Sequence, residues 1–233
     1  MLQVVILAGG LATRLRPTYL KIPKSLIEIN GEPFIFHQLR LLKSKGFKKI
    51  VICTGYLGFQ IENSVGNGDK FDLDIKYSYD GEILLGTGGA ILKALTLLDN
   101  EFMITYGDSY LNFNYAELNT FFEQNTYPAV MTVFKNNDNF DISNVLYKNG
   151  RIIYSKQNRF EDMNYIDYGF SAVKKDIFTK YSLQDKFDLS VVFEKLSEEG
   201  QLGAFEVTNR FYEIGSFQGI TDIESYLKTN NSL

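Results

Sequence analysis

Apolar runs and period-two alternation divide the first half of the chain into strands. The run from Leu2 to Leu7 lacks the polar/apolar alternation of a half-exposed strand, which is typical of a parallel strand covered on both faces. Further strands are predicted at 49–54, 74–79 and 102–106. Helical patterns separate them, so the order predicts repeated βα units, a parallel sheet and a ligand crevice beyond the carboxyl ends of the strands.

The helices between these strands have recognisable starts and stops. One is predicted from Pro33, in its first turn, to near Gly46, and a short one follows at 59–65. The stretch 86–90 is predicted as a glycine loop that leads into a helix continuing to Leu98. Together these segments favour an α/β protein.

The second half of the chain changes rhythm. Asn149-Gly150 lies between two short strand patterns, and this dipeptide is a strong signal for a two-residue hairpin. A mixed sheet or a small antiparallel flap is therefore predicted. The remaining predicted elements are a strand at 165–173, a helix at 188–199, strands at 202–207 and 211–214, and a helix at 218–228. We expect residues 1–233 to form one domain, with about 1–135 binding a nucleotide and about 136–233 an acceptor.

Composition narrows the functional class. The 233 residues carry a formal net charge of −4 with a pI near 5.2, which argues against broad nucleic-acid binding. No apolar run approaches the roughly 18 residues needed to cross a bilayer, and Met1 leads directly into the first strand, so we expect no membrane association and a cytoplasmic location. The lone Cys53 and the lone His37 are interpreted as core residues. A homo-oligomer is left open.

The end of the first strand has the composition of a phosphate-binding loop. Gly9 and Gly10 remove side chains at a sharp turn, so that backbone N–H groups can form a cradle for phosphate oxygens. Arg14 and Arg16 add positive charge, and Arg14 is the better placed to bind a polyphosphate. Neither the Walker pattern nor the dinucleotide fingerprint is present. A glycine pair after a strand is also compatible with a simple turn.

The first loop carries a specific resemblance. Leu-Ala-Gly-Gly-Leu-Ala-Thr-Arg-Leu-Arg-Pro at 7–17, followed by Ile-Pro-Lys-Ser-Leu at 22–26, resembles the signature of the sugar-1-phosphate nucleotidyltransferase family. That family joins a nucleoside triphosphate to a sugar phosphate and releases pyrophosphate. The resemblance implies a Rossmann-like three-layer αβα fold, with a mostly parallel mixed central sheet and a small antiparallel subregion on the acceptor side.

The resemblance also implies a nucleotide site and its catalytic residues. The predicted catalytic residues are Arg14, Lys24 and Asp108, and Asp108 follows the strand at 102–106 directly. The predicted nucleotide-binding residues are Leu7, Ala8, Gly9, Gly10, Thr13, Arg14, Lys24, Tyr79, Asp80, Gly86, Thr87 and Gly88. The implied reaction is an in-line attack of the acceptor phosphate on the α-phosphorus, without a covalent enzyme intermediate.

The implied cofactor is Mg²⁺, with Asp108 as its leading ligand because Mg²⁺ takes one or two protein carboxylates. Phe-Tyr-Glu-Ile-Gly-Ser at 211–216 resembles a family motif whose aspartate is the second ligand. Here Glu213 stands in that place and is one methylene longer.

The acceptor side departs from the family pattern. Lys156 is the predicted contact for the acceptor phosphate, although the glutamate and proline that flank it in the family are absent. Asp167-Tyr168-Gly169 stands where many members have Asn-Ala-Gly, so a carboxylate replaces an amide. Asp167 could accept hydrogen bonds from sugar hydroxyls or pair with a cationic acceptor. The predicted acceptor-binding residues are Asp108, Lys156, Asp167 and Gly169.

Within the family, short chains of this kind resemble mannose- or heptose-1-phosphate guanylyltransferases of surface-polysaccharide pathways. A cytidylyl- or uridylyltransferase acting on an amino sugar phosphate or a phosphocholine-like acceptor is the alternative. A third alternative is a non-catalytic regulatory subunit that binds nucleotide sugars. Retention of Arg14, Lys24 and Asp108 favours an enzyme over that third class.

Overall fold

The computed structural model describes residues 1–10, 22–55, 57–181 and 183–230. The strands are β1 (Gln3–Leu7), β2 (Glu28–Ile29), β3 (Glu32–Pro33), β4 (Lys49–Thr54), β5 (Asp74–Tyr79), β6 (Glu101–Tyr106), β7 (Ser109–Tyr110), β8 (Ala129–Lys135), β9 (Val145–Lys148), β10 (Arg151–Tyr154), β11 (Tyr165–Lys174), β12 (Leu202–Val207) and β13 (Tyr212–Glu213). The helices are α1 (Phe34–Ser44), α2 (Gly58–Val65), α3 (Gly86–Ala94), α4 (Tyr115–Gln124), α5 (Ile177–Lys180), α6 (Ser190–Glu198) and α7 (Phe217–Asn230).

A nine-stranded mixed sheet forms the centre of the molecule. β1 lies between β4 and β6 and is parallel to both, and β5 extends this parallel part on the far side of β4. On the other side, β11 is antiparallel to both β6 and β8, and β12 is parallel to β8. The hairpin of β9 and β10 joins the sheet beside the start of β11. The predicted parallel sheet and the antiparallel subregion are both confirmed.

Helices cover both faces of the sheet, because β1 has buried residues on both of its faces. Val4 and Ile6 pack into a core with residues of α1, α2 and α4. Val5 and Leu7 point to the other face, into a core with residues of α3, α5 and α6. All five residues of β1 are buried, which is the burial expected for a central parallel strand. The predicted three-layer αβα architecture is therefore confirmed.

A β-bulge interrupts β11 where it pairs with β8. The register of β11 against β8 shifts between Asp167 and Ser171, and Gly169 within this stretch has a φ of +94°. Such a bulge bends a strand and redirects its side chains. The hairpin turn at Asn149 and Gly150 has positive φ at both residues, as the sequence predicted.

Two boundary predictions are wrong. Pro33 lies in β3 and caps α1, rather than lying in the first turn of the helix. The glycines at 86–89 form the first turn of α3 rather than a preceding loop. Close packing explains these glycines, since a Cβ on Gly88 would lie 2.1 Å from the ring of Phe187.

No prediction covered β7, α4, β8 or α5. Within the described residues, no helix has the length and apolarity needed to cross a bilayer.

Candidate active site

A cavity of about 380 Å³ opens at the carboxyl ends of β1, β4 and β6, where the sequence placed the ligand crevice. We call it the glycine-lined cavity. It is lined by Leu7, Ala8, Gly9, Gly10, Lys24, Ser25, Cys53, Asp80, Leu84, Gly86, Thr87, Ala90, Tyr106, Gly107 and Asp108.

Glycines line this cavity because the strand ends approach too closely for side chains. A Cβ on Gly107 would lie 2.9 Å from the Cβ of Ala8, and a Cβ on Gly9 would lie 3.1 Å from the nitrogen of Gly55. The N–H of Ala8 donates to the carbonyl of Cys53 over 2.8 Å, which ties β1 to β4 beyond the last ladder position. The result is a wall of backbone and small residues, which suits close approach of a ligand.

Asp108 lies in the turn between β6 and β7, and that turn is fastened from two sides. The buried amide of Gln38 donates to the carbonyl of Tyr106 over 2.8 Å and to that of Ser109 over 2.9 Å. From the other side, the N–H of Ile214 donates to the carbonyl of Asp108 over 3.0 Å. The backbone at Asp108 is therefore held in place from two sides, and Asp108 lines the cavity.

Lys24 provides positive charge beside Asp108. Pro23 precedes a single turn of 3₁₀ helix that begins at Lys24, and the proline fixes the backbone at the start of this turn. Its Nζ lies 2.6 Å from Oδ2 of Asp108, and the two side chains are 20% and 33% exposed. The pair is partly open to a ligand, so an incoming phosphate can compete with Asp108 for the ammonium group.

Glu213 lies next to Asp108 through pairing of β7 with β13, where it is opposite Ser109. Its Oε1 accepts from the hydroxyl of Ser216 over 2.7 Å, and its Oε2 accepts from the N–H of Gly215. The structure thus brings the two predicted metal ligands to one place. Carboxylate oxygens are the donors that Mg²⁺ prefers, so this donor set fits that cation. No cluster of three or more metal-ligating side chains occurs among the described residues.

A second cavity of about 580 Å³ adjoins the first, and we call it the acidic cavity. The two cavities share Lys24, Tyr106 and Asp108. The other residues lining the acidic cavity are Ser109, Phe140, Asp141, Ile142, Asn144, Tyr154, Lys156, Ile166, Asp167, Tyr168, Gly169, Phe211, Glu213, Gly215 and Ser216. Four carboxylates therefore face two lysines in this cavity.

Asp167 reaches the acidic cavity from the bulge of β11. Burial raises the pKa of Asp167 to about 6, against the lowering effects of the Gly169 N–H and of nearby Lys156. That N–H donates to Oδ1 of Asp167 over 2.9 Å. The Nζ of Lys156 binds a different carboxylate, Oδ2 of Asp188, over 2.9 Å. The predicted acceptor residues Lys156, Asp167 and Gly169 thus line one cavity with Asp108.

Comparison with known proteins identifies the family. The family model described as Nucleotidyl transferase matches residues 3–141, which is more than half of the chain. This chain belongs to the nucleotidyl transferase family. The matched range contains the whole glycine-lined cavity, and the prediction of a nucleotidyltransferase enzyme is confirmed.

Relatives of this nucleotidyl transferase differ in the substrates that their names state. D-glycero-α-D-manno-heptose 1-phosphate guanylyltransferase of Aneurinibacillus thermoaerophilus is 30% identical, over 92% of this chain and 93% of that protein. Mannose-1-phosphate guanyltransferase of Yarrowia lipolytica is 28% identical over 91% of this chain, which spans only 60% of that protein. N-acetylmuramate α-1-phosphate uridylyltransferase of Neisseria meningitidis serogroup B is 39% identical, over 46% of this chain and 47% of that protein.

A solved structure supports the fold of this nucleotidyl transferase. HddC from Yersinia pseudotuberculosis, complexed with GMP-PN, superimposes with a TM-score of 0.83 and is 25% identical, over 97% of this chain and 100% of that one. The predicted fold class is thereby confirmed over nearly the whole chain.

Most, but not all, of the residues predicted for the nucleotide site of this nucleotidyl transferase lie together in the structure. Eight line the glycine-lined cavity: Leu7, Ala8, Gly9, Gly10, Lys24, Asp80, Gly86 and Thr87. Gly88 and Tyr79 are not among the described residues that line it. Gly88 packs against Phe187, and the half-exposed Tyr79 donates its hydroxyl to Glu62. Thr13 and Arg14 lie outside the described residues.

Sequence reasoning missed two residues of this nucleotidyl transferase that the geometry singles out. Tyr106 lines both cavities, and burial raises the pKa of its phenol well above the ordinary value. The sequence could have pointed to Tyr106, because it ends a predicted strand and lies two residues before Asp108. Asp188 gave no such signal, because only the folded chain brings it to Lys156.

Proposed function

We propose that this chain joins a nucleoside triphosphate to a sugar 1-phosphate, giving a nucleotide sugar and pyrophosphate, with GTP and a heptose or mannose 1-phosphate as the leading pair. The observation that carries the proposal is the sharing of Lys24, Tyr106 and Asp108 by two adjoining cavities. A transfer between two bound substrates needs two sites with a common boundary at which the reacting groups meet.

The glycine-lined cavity is the proposed triphosphate site. Backbone groups of 7–10 would approach the phosphates closely, and Lys24 and Arg14 would supply positive charge. Asp80, Gly86 and Thr87 line the part of the cavity that we assign to the nucleobase. Burial raises the pKa of Asp80, and its Oδ2 accepts from the N–H of Leu85 over 3.1 Å.

The acidic cavity is the proposed acceptor site. Lys156 would bind the acceptor phosphate, and the carboxyl of Asp167 would hydrogen-bond sugar hydroxyls. Lys156 lies close enough to Asp167 to lower its pKa, so it offsets part of the negative charge at the place where the acceptor would bind.

Asp108 and Glu213 are the proposed ligands of a divalent cation, Mg²⁺ by the chemistry of their oxygens. When bound, such a cation neutralises charge on the phosphates. Lys24 pairs with Asp108 over 2.6 Å, and we propose that this ammonium moves toward the triphosphate when the cation and the nucleotide are bound.

The proposed step is a single displacement. An oxygen of the acceptor phosphate forms a bond with the α-phosphorus, and the bond from that phosphorus to the bridging oxygen breaks in line, releasing pyrophosphate. A phosphate monoester is already anionic, so no general base is required. Lys24 and Arg14 would stabilise the negative charge that develops on the departing pyrophosphate.

The two parts of the chain would each bind one substrate. About 1–135 would bind the nucleotide and about 136–233 the acceptor, within one domain. We place the enzyme in the cytoplasm, where nucleoside triphosphates and sugar phosphates are available, with its product serving surface-polysaccharide synthesis.

A screen of substrate pairs tests the proposal. Pyrophosphate release would be measured for the four common nucleoside triphosphates against mannose, heptose, glucose, N-acetylmuramate and amino sugar 1-phosphates and phosphocholine, with Mg²⁺ or with chelator. We expect Mg²⁺-dependent release with GTP and a heptose or mannose 1-phosphate. Release only with UTP or CTP would favour the alternative donors. Nucleotide binding without release from any pair would favour a non-catalytic regulatory subunit.

A further inference from the structure

A short segment after α5 connects the two cavities. We call residues Asp185–Leu189 the bridging segment. On one side it binds the start of α3, which lines the glycine-lined cavity. The carbonyl of Phe187 accepts from the N–H of Gly88 over 3.0 Å and of Gly89 over 3.2 Å, and the N–H of Phe187 donates to the carbonyl of Leu85 over 3.0 Å. The next contact is a hydrogen bond of 2.8 Å from the Leu189 N–H to Oγ1 of Thr87.

The other side of the bridging segment holds the predicted phosphate-binding lysine. Oδ2 of Asp188 lies 2.9 Å from Nζ of Lys156, and Oδ1 of Asp188 accepts from the N–H of Ser190 over 3.0 Å. Burial alone would raise the pKa of Asp188, but these hydrogen bonds lower it below the ordinary value, so the group is a carboxylate at neutral pH. The lysine backbone is fixed too, because its N–H donates to Oε1 of Glu194 over 2.8 Å.

Two aspartates lie near the ammonium group of Lys156, and only one of them pairs with it. Asp188 forms the ion pair, whereas Asp167 uses Oδ1 to accept from Gly169 and feels Lys156 as a nearby charge. If Asp188 lost its charge, the ammonium would lose its fixed partner and would divide its time between solvent and Asp167. The lysine would then be held toward the acceptor phosphate for less of the time.

We propose that Asp188 is a positioning residue, which holds Lys156 for the acceptor phosphate and leaves Asp167 free for the sugar, and that the bridging segment fixes this arrangement to the nucleotide cavity. The inference rests on the proposed function for the role of Lys156. The ion pair is partly exposed, with side-chain exposures of 53% for Lys156 and 43% for Asp188, so its value lies in placement rather than in stability.

Close packing makes the position of the bridging segment dependent on α3. A Cβ on Gly88 would lie 2.1 Å from the Phe187 ring, and a Cβ on Gly89 would lie 2.2 Å from the carbonyl oxygen of Asp185. The segment therefore sits directly on the helix backbone, and a side chain at either glycine would displace it. This gives a second way to move Asp188 without changing it.

The first experiment compares Asp188→Asn, Asp188→Glu and the remote control Asp99→Asn, which neutralises an exposed partner of Lys49. With GTP and heptose 1-phosphate, we expect Asp188→Asn to raise the acceptor KM about tenfold. It should change kcat less than threefold and leave the GTP Kd within twofold. Asp188→Glu should recover most of the acceptor KM, and Asp99→Asn should change nothing. An unchanged or lower acceptor KM in Asp188→Asn would overturn the proposal.

A second experiment needs no turnover, so it separates failure of this inference from failure of the proposed function. Lysines would be labelled by reductive methylation and quantified by mass spectrometry, with Lys49 as the internal reference. Methylation of Lys156 should be about threefold faster in Asp188→Asn than in the wild type, and also faster in Gly88→Ala, because each change releases the amine. Equal rates in all three proteins would overturn the positioning role, whether or not any substrate pair releases pyrophosphate.

Discussion

The two cavities are lined by different kinds of chemical group. The glycine-lined cavity is walled mainly by backbone and small residues at the ends of parallel strands, with Lys24, Asp80 and Asp108 as its charged groups. The acidic cavity is lined mainly by side chains of the antiparallel part of the sheet and of the loop before β9, together with Glu213 and the turn after it, and includes six charged groups. The first cavity depends on close approach of the main chain, and the second on the placement of side chains.

This contrast matches the difference between the proposed substrates. A triphosphate is the same in every nucleotide, and a cradle of backbone groups can hold it without reading its identity. Acceptors differ in hydroxyls and substituents, and side chains distinguish such features. Substitutions should therefore act on general catalysis near the shared boundary, on acceptor choice in the acidic cavity, and on packing in the glycine-lined cavity.

The largest effect should come from the residues that both cavities share. Lys24→Met and Asp108→Asn should each lower kcat/KM about 10²- to 10³-fold, because each removes charge from the place where the phosphates meet. Steady-state pyrophosphate release would measure this. The ion pair is partly exposed, so the free energy of unfolding should change by no more than about 1 kcal/mol. Full turnover with unchanged Mg²⁺ dependence in Asp108→Asn would contradict the shared boundary.

Asp167→Asn should stabilise the protein at neutral pH. The pKa of this carboxyl is raised from 3.8 to about 6, so the native state binds the extra proton between these values and loses stability as pH rises through about 6. The variant lacks this loss, and its free energy of unfolding should exceed that of the wild type by about 3 kcal/mol at pH 7.5, with no difference at pH 3.5.

Urea unfolding at the two pH values would measure that difference. The amide oxygen can still accept the Gly169 N–H, so the local hydrogen bond is retained in the variant. Weaker discrimination among sugar 1-phosphates should accompany the gain in stability. A variant that is less stable than the wild type at pH 7.5 would show that the Asp167 carboxylate is well stabilised in the fold.

A smaller effect is expected from packing in the glycine-lined cavity. Gly107→Ala should lower the free energy of unfolding by about 1–3 kcal/mol, because its Cβ would lie 2.9 Å from the Cβ and 3.1 Å from the Cα of Ala8. Gly10→Ala is the matched control for stability, since no atom of the other described residues lies within 4 Å of its added Cβ. Equal stabilities of the two variants would mean that β1 and β6 can separate at their ends at little cost.

The smallest effect is expected at Tyr79, which the sequence assigned to the nucleotide site but which is not among the described residues that line the cavity. Tyr79→Phe should change the GTP Kd less than twofold, because the hydroxyl contacts Glu62 and the residue is not among those that line the cavity. Isothermal titration with GTP would test this. A tenfold loss of affinity would restore the assignment of Tyr79 to the nucleotide site.

The parallel half of the fold was predictable because its signals are local. The strand 49–54 and the strand 74–79 have the predicted bounds, since each is an apolar or alternating run between turn residues. The glycine stretch 86–89 was misassigned because its reason is tertiary: Phe187 lies on it from a segment about a hundred residues later. Local pattern carries no information about such a contact.

The two cavities also differ in how far the sequence could predict them. The glycine-lined cavity draws on contiguous motifs at 7–10, 22–26 and 86–90, so the sequence could point to it. The acidic cavity depends on strand register, on a bulge in β11 and on a contact between Lys156 and Asp188, thirty-two positions apart. The lysine could be predicted by resemblance, but its partner could not, because an isolated aspartate before a helix has many ordinary roles.

The fate of the α-phosphate tests the central claim most directly. The enzyme would be incubated with Mg²⁺, heptose 1-phosphate and GTP that is radiolabelled at the α-phosphate, and the products would be separated by chromatography. The account predicts that the label moves into a GDP-sugar, with one equivalent of pyrophosphate released for each labelled product. Label that remains in GTP, or appears in GMP without a sugar product, would contradict it.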